Sequence, residues 1–380
     1  MWNCKGTPLN INRSILGKVS RKTTDILSRR TSVLVTHNPA GVKSWLYAAL
    51  LTDRKDNAGI LSSVPCVIGL SNSDIQKFHE GDILLIEPDG RINLLFDSDS
   101  NDNAILATER CNCRCIMCPQ PPQEDRAGLQ DLNLALFRLM DPDNTHSICI
   151  TGGEPTLLGD GFIHLVEECK RRLPHTSLAV LTNGKAFRDF KFTRKVVEVG
   201  HPDLTLCIAL YADNDKHHDE IVGVPGSFFD TVKGITNLAL FNQRVEIRNV
   251  ITAKNFKRLP QYSYFIYRNF PFAVHVAFMA MEITGLAVRN YDQIWVDPID
   301  YMTELGGAIK CLERAKMHVS IFNLQLCLLP EKLWRYSRKS ISSWKNEYLD
   351  VCSSCKEREK CGGLFKTSGE IVSSGIKPFL

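Results

Sequence analysis

Four cysteines, Cys111, Cys113, Cys115 and Cys118, crowd the stretch TERCNCRCIMCPQPP (108–122). Cys111, Cys115 and Cys118 have C-x3-C-x2-C spacing, and a tight loop presenting three thiolates suits a cubane iron–sulfur cluster. Three ligands for four irons leave one iron open to a small chelating molecule, much as a catalytic zinc keeps one position free. The other reading is a structural zinc site with Cys113 as fourth ligand, although C-x-C-x-C turns neighbouring side chains apart. A second group, Cys352, Cys355 and Cys361, lies in VCSSCKEREKCGG (351–363). With Cys327 it gives C-x24-C-x2-C-x5-C-G-G, a closed four-thiolate site for a [4Fe–4S] cluster or zinc. Cys311 is an extra or replacement ligand there. Cys4, Cys66, Cys149, Cys169 and Cys207 are scattered through apolar patterns and read as small buried hydrophobes.

Other residues with chemical potential sit at the ends of apolar runs. In GGEPT (152–156), Gly152 and Gly153 allow the backbone to approach a ligand closely. Glu154 offers a carboxylate for an ammonium group, and Pro155 pre-sets a following helix. LTNG (181–184) carries Asn183, YAD (211–213) carries Tyr211 and Asp213, and Arg248 lies in VEIRNVIT (245–252).

Elements that would position these residues alternate along the chain. Strands are expected at 104–108, 147–151, 177–183, 204–211, 245–252 and 273–281. Helical spacing marks 129–140, 162–173, 192–200, 228–241 and 259–270. Alternation of this kind predicts parallel βα units. Six in a row without a dinucleotide fingerprint predict an α/β fold, a partial TIM-like (βα)6 barrel, whose chemistry belongs at the C-terminal strand ends. The cysteine loop, GGEPT, LTNG, YAD and MEITG (281–285) all follow strands in this scheme. His217 and His218 read as exposed loop residues. The chain divides into a β-rich domain over 1–100, the barrel over 101–300 and an irregular cysteine-rich domain over 301–380. In the first of these, GDILLIEPDGRINLLF (81–96) alternates around a turn and predicts a hairpin. TSVLVTH (31–37) and SVPCVIGL (63–70) add strands.

Composition narrows the classes. The chain has 380 residues, 44% hydrophobic and 23% charged, the balance of an ordinary globular protein. A net charge of +4, from 46 basic and 42 acidic side chains well interspersed, gives no strong basic face for nucleic acid. MWNCKGTPLNINRS lacks the apolar core of a leader, and runs such as FAVHVAFMAM are about half a membrane span. A cytoplasmic protein with no membrane or nucleic-acid partner is expected. Thiols stay reduced there, so 14 cysteines point to metal ligands rather than disulfides.

CNCRCIMC (111–118), TGGEPTL (151–157), LTNG and the six βα units, over roughly 104–290, resemble the radical S-adenosylmethionine (SAM) superfamily. The resemblance implies a [4Fe–4S] cluster on Cys111, Cys115 and Cys118, with its open iron binding SAM. One electron then cleaves SAM to a 5′-deoxyadenosyl radical that abstracts hydrogen from a substrate. Carried over, Met117, Gly152, Gly153, Glu154, Asn183, Asp213 and Arg248 surround SAM. Of these, Gly152, Gly153 and Glu154 meet its amino group and Arg248 its carboxylate. Related maturases carry a serine and an aspartate on the fourth strand. Ala209 and Tyr211 stand there in this chain, and Asp213 is the available substitute. The C-terminal cysteines resemble a SPASM/twitch-like extension and imply one auxiliary [4Fe–4S] cluster on Cys327, Cys352, Cys355 and Cys361.

More narrowly, ERCNCRCIMCPQPP, LCLLPEKLW (326–334) and SISSWKNEYLDVCSSCKEREKCGGLF (340–365) are similar to the His-Xaa-Ser-system maturases, the HxsC group. That likeness implies post-translational modification of a peptide or small protein, a second radical SAM maturase as partner, and a reducing electron donor. Rival readings are a radical SAM enzyme acting on a small metabolite or nucleotide, and a non-catalytic iron–sulfur or zinc scaffold. The N-terminal β domain is a candidate peptide-recognition module acting by strand addition at a sheet edge.

Overall fold

The computed structural model describes residues 3–22, 25–39, 46–56, 64–339, 346–368 and 372–380. Residues 340–345 of the C-terminal stretch quoted above lie outside the described residues. The chain forms two compact units. One comprises Met1–Leu106, Arg126–Cys149 and His164–Leu178, and the other Ala107–Asp125, Ile150–Ile163 and Ala179–Leu380. The segment after 300 therefore groups with the later barrel strands instead of standing alone.

The N-terminal strands are β1 (Asn3–Lys5), β2 (Thr7–Leu9), β3 (Ile15–Ser20), β4 (Ser32–Val35), β5 (Ala49–Leu51), β6 (Cys66–Ile68), β7 (Ile83–Ile86) and β8 (Arg91–Phe96). Short helices α1 (Ile26–Arg29) and α2 (Asn72–Lys77) interrupt them. The expected hairpin is β7–β8. Its turn closes through Glu87 N–H to Arg91 O at 2.8 Å and Gly90 N–H to Glu87 O at 2.9 Å, with Gly90 at φ +82°. Sheet order is β1-β8-β7-β3-β4-β5-β6-β2. Both outermost positions are filled by one extended segment that pairs with β8 before Gly6 and with β6 after it. A Cβ on Gly6 would lie 2.6 Å from Val67 Cγ1 and 2.7 Å from Ile68 O, so only glycine lets the strand cross there. The sheet closes on itself around Val33, Val35, Leu51, Val67, Leu84 and Ile92. Among the described residues, the one segment 3–9 thus covers both outermost positions of the sheet.

The second sheet contains β9 (Asn103–Leu106), β10 (Ser147–Thr151), β11 (Ser177–Thr182), β12 (Leu204–Ala209), β13 (Arg244–Val250), β14 (His275–Met279), β15 (Val319–Phe322) and β16 (Ser337–Arg338), in sequential order. The pairings from β12 to β16 are all parallel. The helices are α3 (Leu129–Leu139), α4 (Asp160–Arg172), α5 (Phe190–Glu198), α6 (Asp215–Val222), α7 (Ser227–Ala239), α8 (Leu259–Asn269), the one-turn α9 (Leu286–Arg289) and α10 (Tyr291–Ile294), and α11 (Met302–Arg314).

All six expected strands form. The parallel sheet also continues through β15 and β16, where the sequence reading expects irregular chain. α11 buries Leu305, Ala308, Ile309 and Leu312, but Gly306 and Gly307 weaken its helical signal, and β15 is only four residues long. Along β13, Val245, Ile247 and Asn249 are buried, while Glu246, Arg248 and Val250 are half-buried on the opposite face. That second face lines the inside of the curved sheet. Among the described residues, no helix is long and apolar enough to cross a membrane.

Candidate metal and cofactor site

The cysteine loop is fixed first at its neck. Asp125 accepts hydrogen bonds from Thr108 Oγ1 at 2.8 Å and Glu109 N–H at 2.6 Å. Gln123 N–H donates to Glu109 O at 3.0 Å. The far side of the loop rests on α6, whose last carbonyls lack helical partners. Arg114 N–H donates to Val222 O and Ile116 N–H to Ile221 O, both at 2.9 Å. Gly223 closes the helix at φ +69°, and a Cβ on it would come within 2.7 Å of Arg114 O. The MEITG segment holds the third corner: Leu286 N–H donates to Cys118 O at 2.9 Å.

α6 corrects the expectation for His217 and His218. Both lie in this helix, capped by Asn214. His218 is 1% exposed, stacks on Tyr211 and accepts the Tyr211 N–H at Nδ1. Burial lowers its pKa to about 4. Amphipathic spacing over only eight residues hides this helix in the sequence, yet it supports half the cysteine loop.

Cys111, Cys115 and Cys118 are half-buried. The Cys115 thiol is pushed up to about 12, mainly by burial and then by the charges of Cys118 and Cys111. Cys113 turns toward Cys111 and the LTNG end, its thiol hydrogen-bonded with the Cys111 thiol. It is 3% exposed, and its Sγ lies 3.5 Å from Asn183 Nδ2 and 3.9 Å from Lys185 Nζ. Its own N–H donates to Cys111 Sγ at 3.4 Å. Met117 is buried with Ile221, Ala287 and Ile294 beneath Cys115 and Tyr211.

The GGEPT turn lies flat on the root of this loop. Gly153 N–H donates to Thr108 O and Glu154 N–H to Arg110 O, both at 2.8 Å. A Cβ on Gly153 would sit 2.2 Å from Arg110 O, and one on Gly152 2.5 Å from Thr108 O. The glycines are thus required for the chain's own close approach.

Three of the residues expected around the ligand also have partners within the chain. Glu154 is 1% exposed, and its carboxylate accepts from Thr156 N–H (3.1 Å), Thr156 Oγ1 (2.6 Å), Thr182 Oγ1 (2.7 Å) and Asn183 N–H (2.6 Å). It staples two strand ends together, and burial raises its pKa. Asp213 is paired bidentately with Arg258, at 2.8 and 2.5 Å. Arg248 is bonded through Nε to Glu246. Glu246 also binds His275 Nδ1 at 2.7 Å, and His275 Nε2 lies 2.9 Å from Ser320 Oγ. The expected partner of Arg248 was a ligand carboxylate, whereas the chain supplies one of its own. Burial works to raise the Glu246 carboxyl, but its His275 and Arg248 partners outweigh that and hold it near about 2. Asn183 does reach the loop, donating from Nδ2 to Asn112 Oδ1 at 2.7 Å.

At the other site, Cys327, Cys352, Cys355 and Cys361 line one pocket, and Cys311 is not among its lining residues. Backbone N–H groups from distant segments point at three of the sulfurs. Leu326 donates to Cys361 and Phe379 to Cys355, each at 3.4 Å, and Lys377 to Cys327.

Donor spacing tests what these sites can hold. Among the described residues, no three Cys, His, Asp or Glu ligand atoms of either cysteine group lie within 4.8 Å of one another. Thiolates bound tetrahedrally to one zinc at about 2.3 Å would be about 3.8 Å apart. As placed, neither set brings three sulfurs close enough to share one zinc.

Sequence reasoning missed Asn112, Lys185, Glu246, His275, Ser320 and the whole of α6. Lys185 had a usable signal, its place directly after LTNG. Glu246, His275 and Ser320 meet only through parallel register, which sets Glu246 beside His275 and Ala277 beside Ser320; Asn112 and α6 join through loop contacts.

The family model of the radical SAM superfamily matches residues 105–252. A GTP 3′,8-cyclase from Campylobacter jejuni subsp. doylei is 34% identical over 103 residues, 25% of this chain and 31% of that protein. An uncharacterized protein of Methanocaldococcus jannaschii is 28% identical over 163 residues, 42% of this chain and 55% of its own length. These matches span from about a third to about half of the curated relatives. Among solved structures, Streptococcus suis SuiB bound to S-adenosylmethionine is 19% identical with a TM-score of 0.46, over 57% of this chain and 49% of that one. The enzyme anSMEcpe with bound AdoMet and Cp18Cys peptide is 18% identical with a TM-score of 0.45, over 57% and 62%. The segment that carries the cysteine loop and the GGEPT turn is a radical SAM domain.

Proposed function

We propose that this radical SAM domain holds a [4Fe–4S] cluster on Cys111, Cys115 and Cys118, and that the protein modifies a peptide or small protein. The observation that carries the cofactor reading is the seating of a three-thiol loop on a Gly-Gly-Glu turn, with Gly153 and Glu154 hydrogen-bonded to Thr108 and Arg110. When bound, SAM and the cluster supply hydrogen-atom abstraction through one-electron cleavage of SAM. The chain's residues do the positioning. Glu154 locks the end of β11 to the turn, α6 braces the loop from below, and Met117 and Tyr211 shield Cys115 from water. Water exclusion protects a reactive species from side reactions.

The peptide reading rests on the four-cysteine pocket, a second wide thiolate set suited to electron transfer beside the domain's chemistry, and on the likeness to His-Xaa-Ser maturases. A partner maturase and a reducing electron donor belong to the same proposal. A second reading, action on a nucleotide, is favoured by the likeness to GTP 3′,8-cyclases.

Anaerobic protein reduced with dithionite and given SAM should release 5′-deoxyadenosine; no release from iron-loaded protein overturns the cofactor reading. Parallel incubations with His-Xaa-Ser-repeat peptides and with GTP, followed by mass spectrometry, separate the substrates. A mass change in GTP alone would replace the peptide reading.

A further inference from the structure

Lys185 emerges from the end of β11 directly into the cysteine loop's surroundings. Gly184, at φ +78°, makes that turn, and a Cβ there would lie 2.7 Å from Ile208 Cγ2. Beyond it, Lys185 opens a single 3-10 turn, Lys185–Arg188. Its Nζ donates to Ser227 Oγ at 3.0 Å and lies 3.9 Å from Cys113 Sγ. Ser227 is 1% exposed, at the first residue of α7. The ammonium is therefore held in place by a buried hydroxyl and does not sweep freely through solvent.

The charge around it is one-sided. Three ligand thiolates and the buried Glu154 carboxylate are concentrated at this loop, and Glu154 adds to the negative field on Cys111. Lys185 places its ammonium 3.9 Å from Cys113 Sγ, and the Cys113 N–H in turn donates to Cys111 Sγ at 3.4 Å. Arg110, on the same loop, is drawn toward Asp125 at 3.5 Å.

We propose that Lys185 is a positioning cation that raises the reduction potential of the iron–sulfur cluster held by Cys111, Cys115 and Cys118. The inference rests on the cofactor reading above. Reduction adds one negative charge to the cluster, and a fixed ammonium nearby stabilises that charge in a partly desolvated site. Net charge and hydrogen bonds around the sulfurs are the levers by which a protein tunes such a cluster. Cys113, a thiol that is not a ligand in this reading, lies between the ammonium and the loop.

The test is a potentiometric titration of the full-length, iron-loaded protein, followed by electron paramagnetic resonance, with SAM affinity measured in parallel. For Lys185→Met the reduced-to-oxidised ratio at a fixed potential should fall about tenfold, which is 59 mV for one electron. Lys185→Arg, which keeps the charge, should stay within about twofold of the parent, and SAM affinity should hold within about threefold in both variants. A midpoint unchanged in Lys185→Met overturns the proposal. Equal losses in the Met and Arg variants also overturn it, because geometry and not charge would then be at work. An unchanged midpoint with a tenfold loss of SAM affinity would make Lys185 a ligand for SAM instead. Should Lys185→Met fail to load iron, Lys185→Gln carries the same comparison; failure of both to load overturns tuning in favour of assembly. A parent protein that loads no cluster at Cys111, Cys115 and Cys118 defeats the cofactor reading itself, a result distinct from all of these.

Discussion

The two cysteine groups are built in opposite ways. Cys111, Cys115 and Cys118 sit within eight residues, and local spacing brings their thiols together. Tertiary contacts to α6, to GGEPT and to Leu286 then hold the loop in place through its backbone. At the other site, Cys327 joins Cys352, Cys355 and Cys361 from 25 residues upstream. Its sulfurs receive N–H groups from Leu326, Lys377 and Phe379. The first site has three thiols in C-x3-C-x2-C spacing and a fourth, Cys113, that bridges from Cys111 toward Asn183 and Lys185; the second is closed by four thiols and backbone donors. An open set suits a cluster that must also bind a small molecule. A closed one, with N–H groups stabilising thiolate charge, suits a cluster that only accepts and releases electrons.

The strongest way to break this contrast is Cys115→Ala. Iron should fall by about one cubane's worth and SAM cleavage should drop to background, while the C-terminal site keeps its metal. Iron analysis and 5′-deoxyadenosine chromatography read both. Replacing Cys352 and Cys355 together should have the complementary effect: about one cluster of iron is lost and SAM cleavage continues, while under the proposed peptide reading modification of the peptide stops. Loss of zinc in place of iron would remove the electron-transfer role, since zinc has no redox chemistry.

Smaller effects concern the supports. The Glu246 carboxyl is held at about 2, below its ordinary 4.5. A carboxyl lowered in this way stabilises the fold fully above pH 4.5, and the contribution is lost as pH falls from 4.5 toward 2. Urea unfolding at pH 7 and pH 3 should show Glu246→Gln destabilised at neutral pH, by up to about 3 kcal/mol, with a weaker dependence on acid than the parent. An identical pH dependence in the two proteins would argue that His275 and Arg248 do not hold the charge. Glu154→Gln places an amide N–H2 against donors that now meet a carboxylate. Stability should fall by about 1–3 kcal/mol, read as a lower thermal midpoint. If SAM affinity fell tenfold without that loss, the carboxylate would be a ligand contact after all. The smallest change sharpens the comparison most: Cys113→Ala should keep both clusters, because Cys113 falls outside the C-x3-C-x2-C spacing and its thiol, hydrogen-bonded to Cys111, is also in reach of Asn183 and Lys185. Iron loss equal to that of Cys115→Ala would make Cys113 a ligand.

Local chemistry was legible in the sequence. The C-x3-C-x2-C spacing, the GGEPT turn, the hairpin and six alternating strands all rest on neighbours a few residues apart. Apolar periodicity and turn residues encode such features directly. What required the tertiary structure were the partners of charges and edges. Sequence showed Glu154, Asp213 and Arg248 as candidate ligand contacts; folding gave them partners in the chain, Thr182 and Asn183, Arg258, and Glu246 respectively. Burial makes an unpaired charge costly, so a folded chain supplies partners from wherever register brings them, and register is not written in any one segment. The closed N-terminal sheet has the same origin, since only pairing with both β8 and β6 shows that residues 3–9 cover both edges. Spacing along the chain thus determined which groups could do chemistry. The tertiary structure decided which of them remained at the site and which, like Lys185, were brought to it.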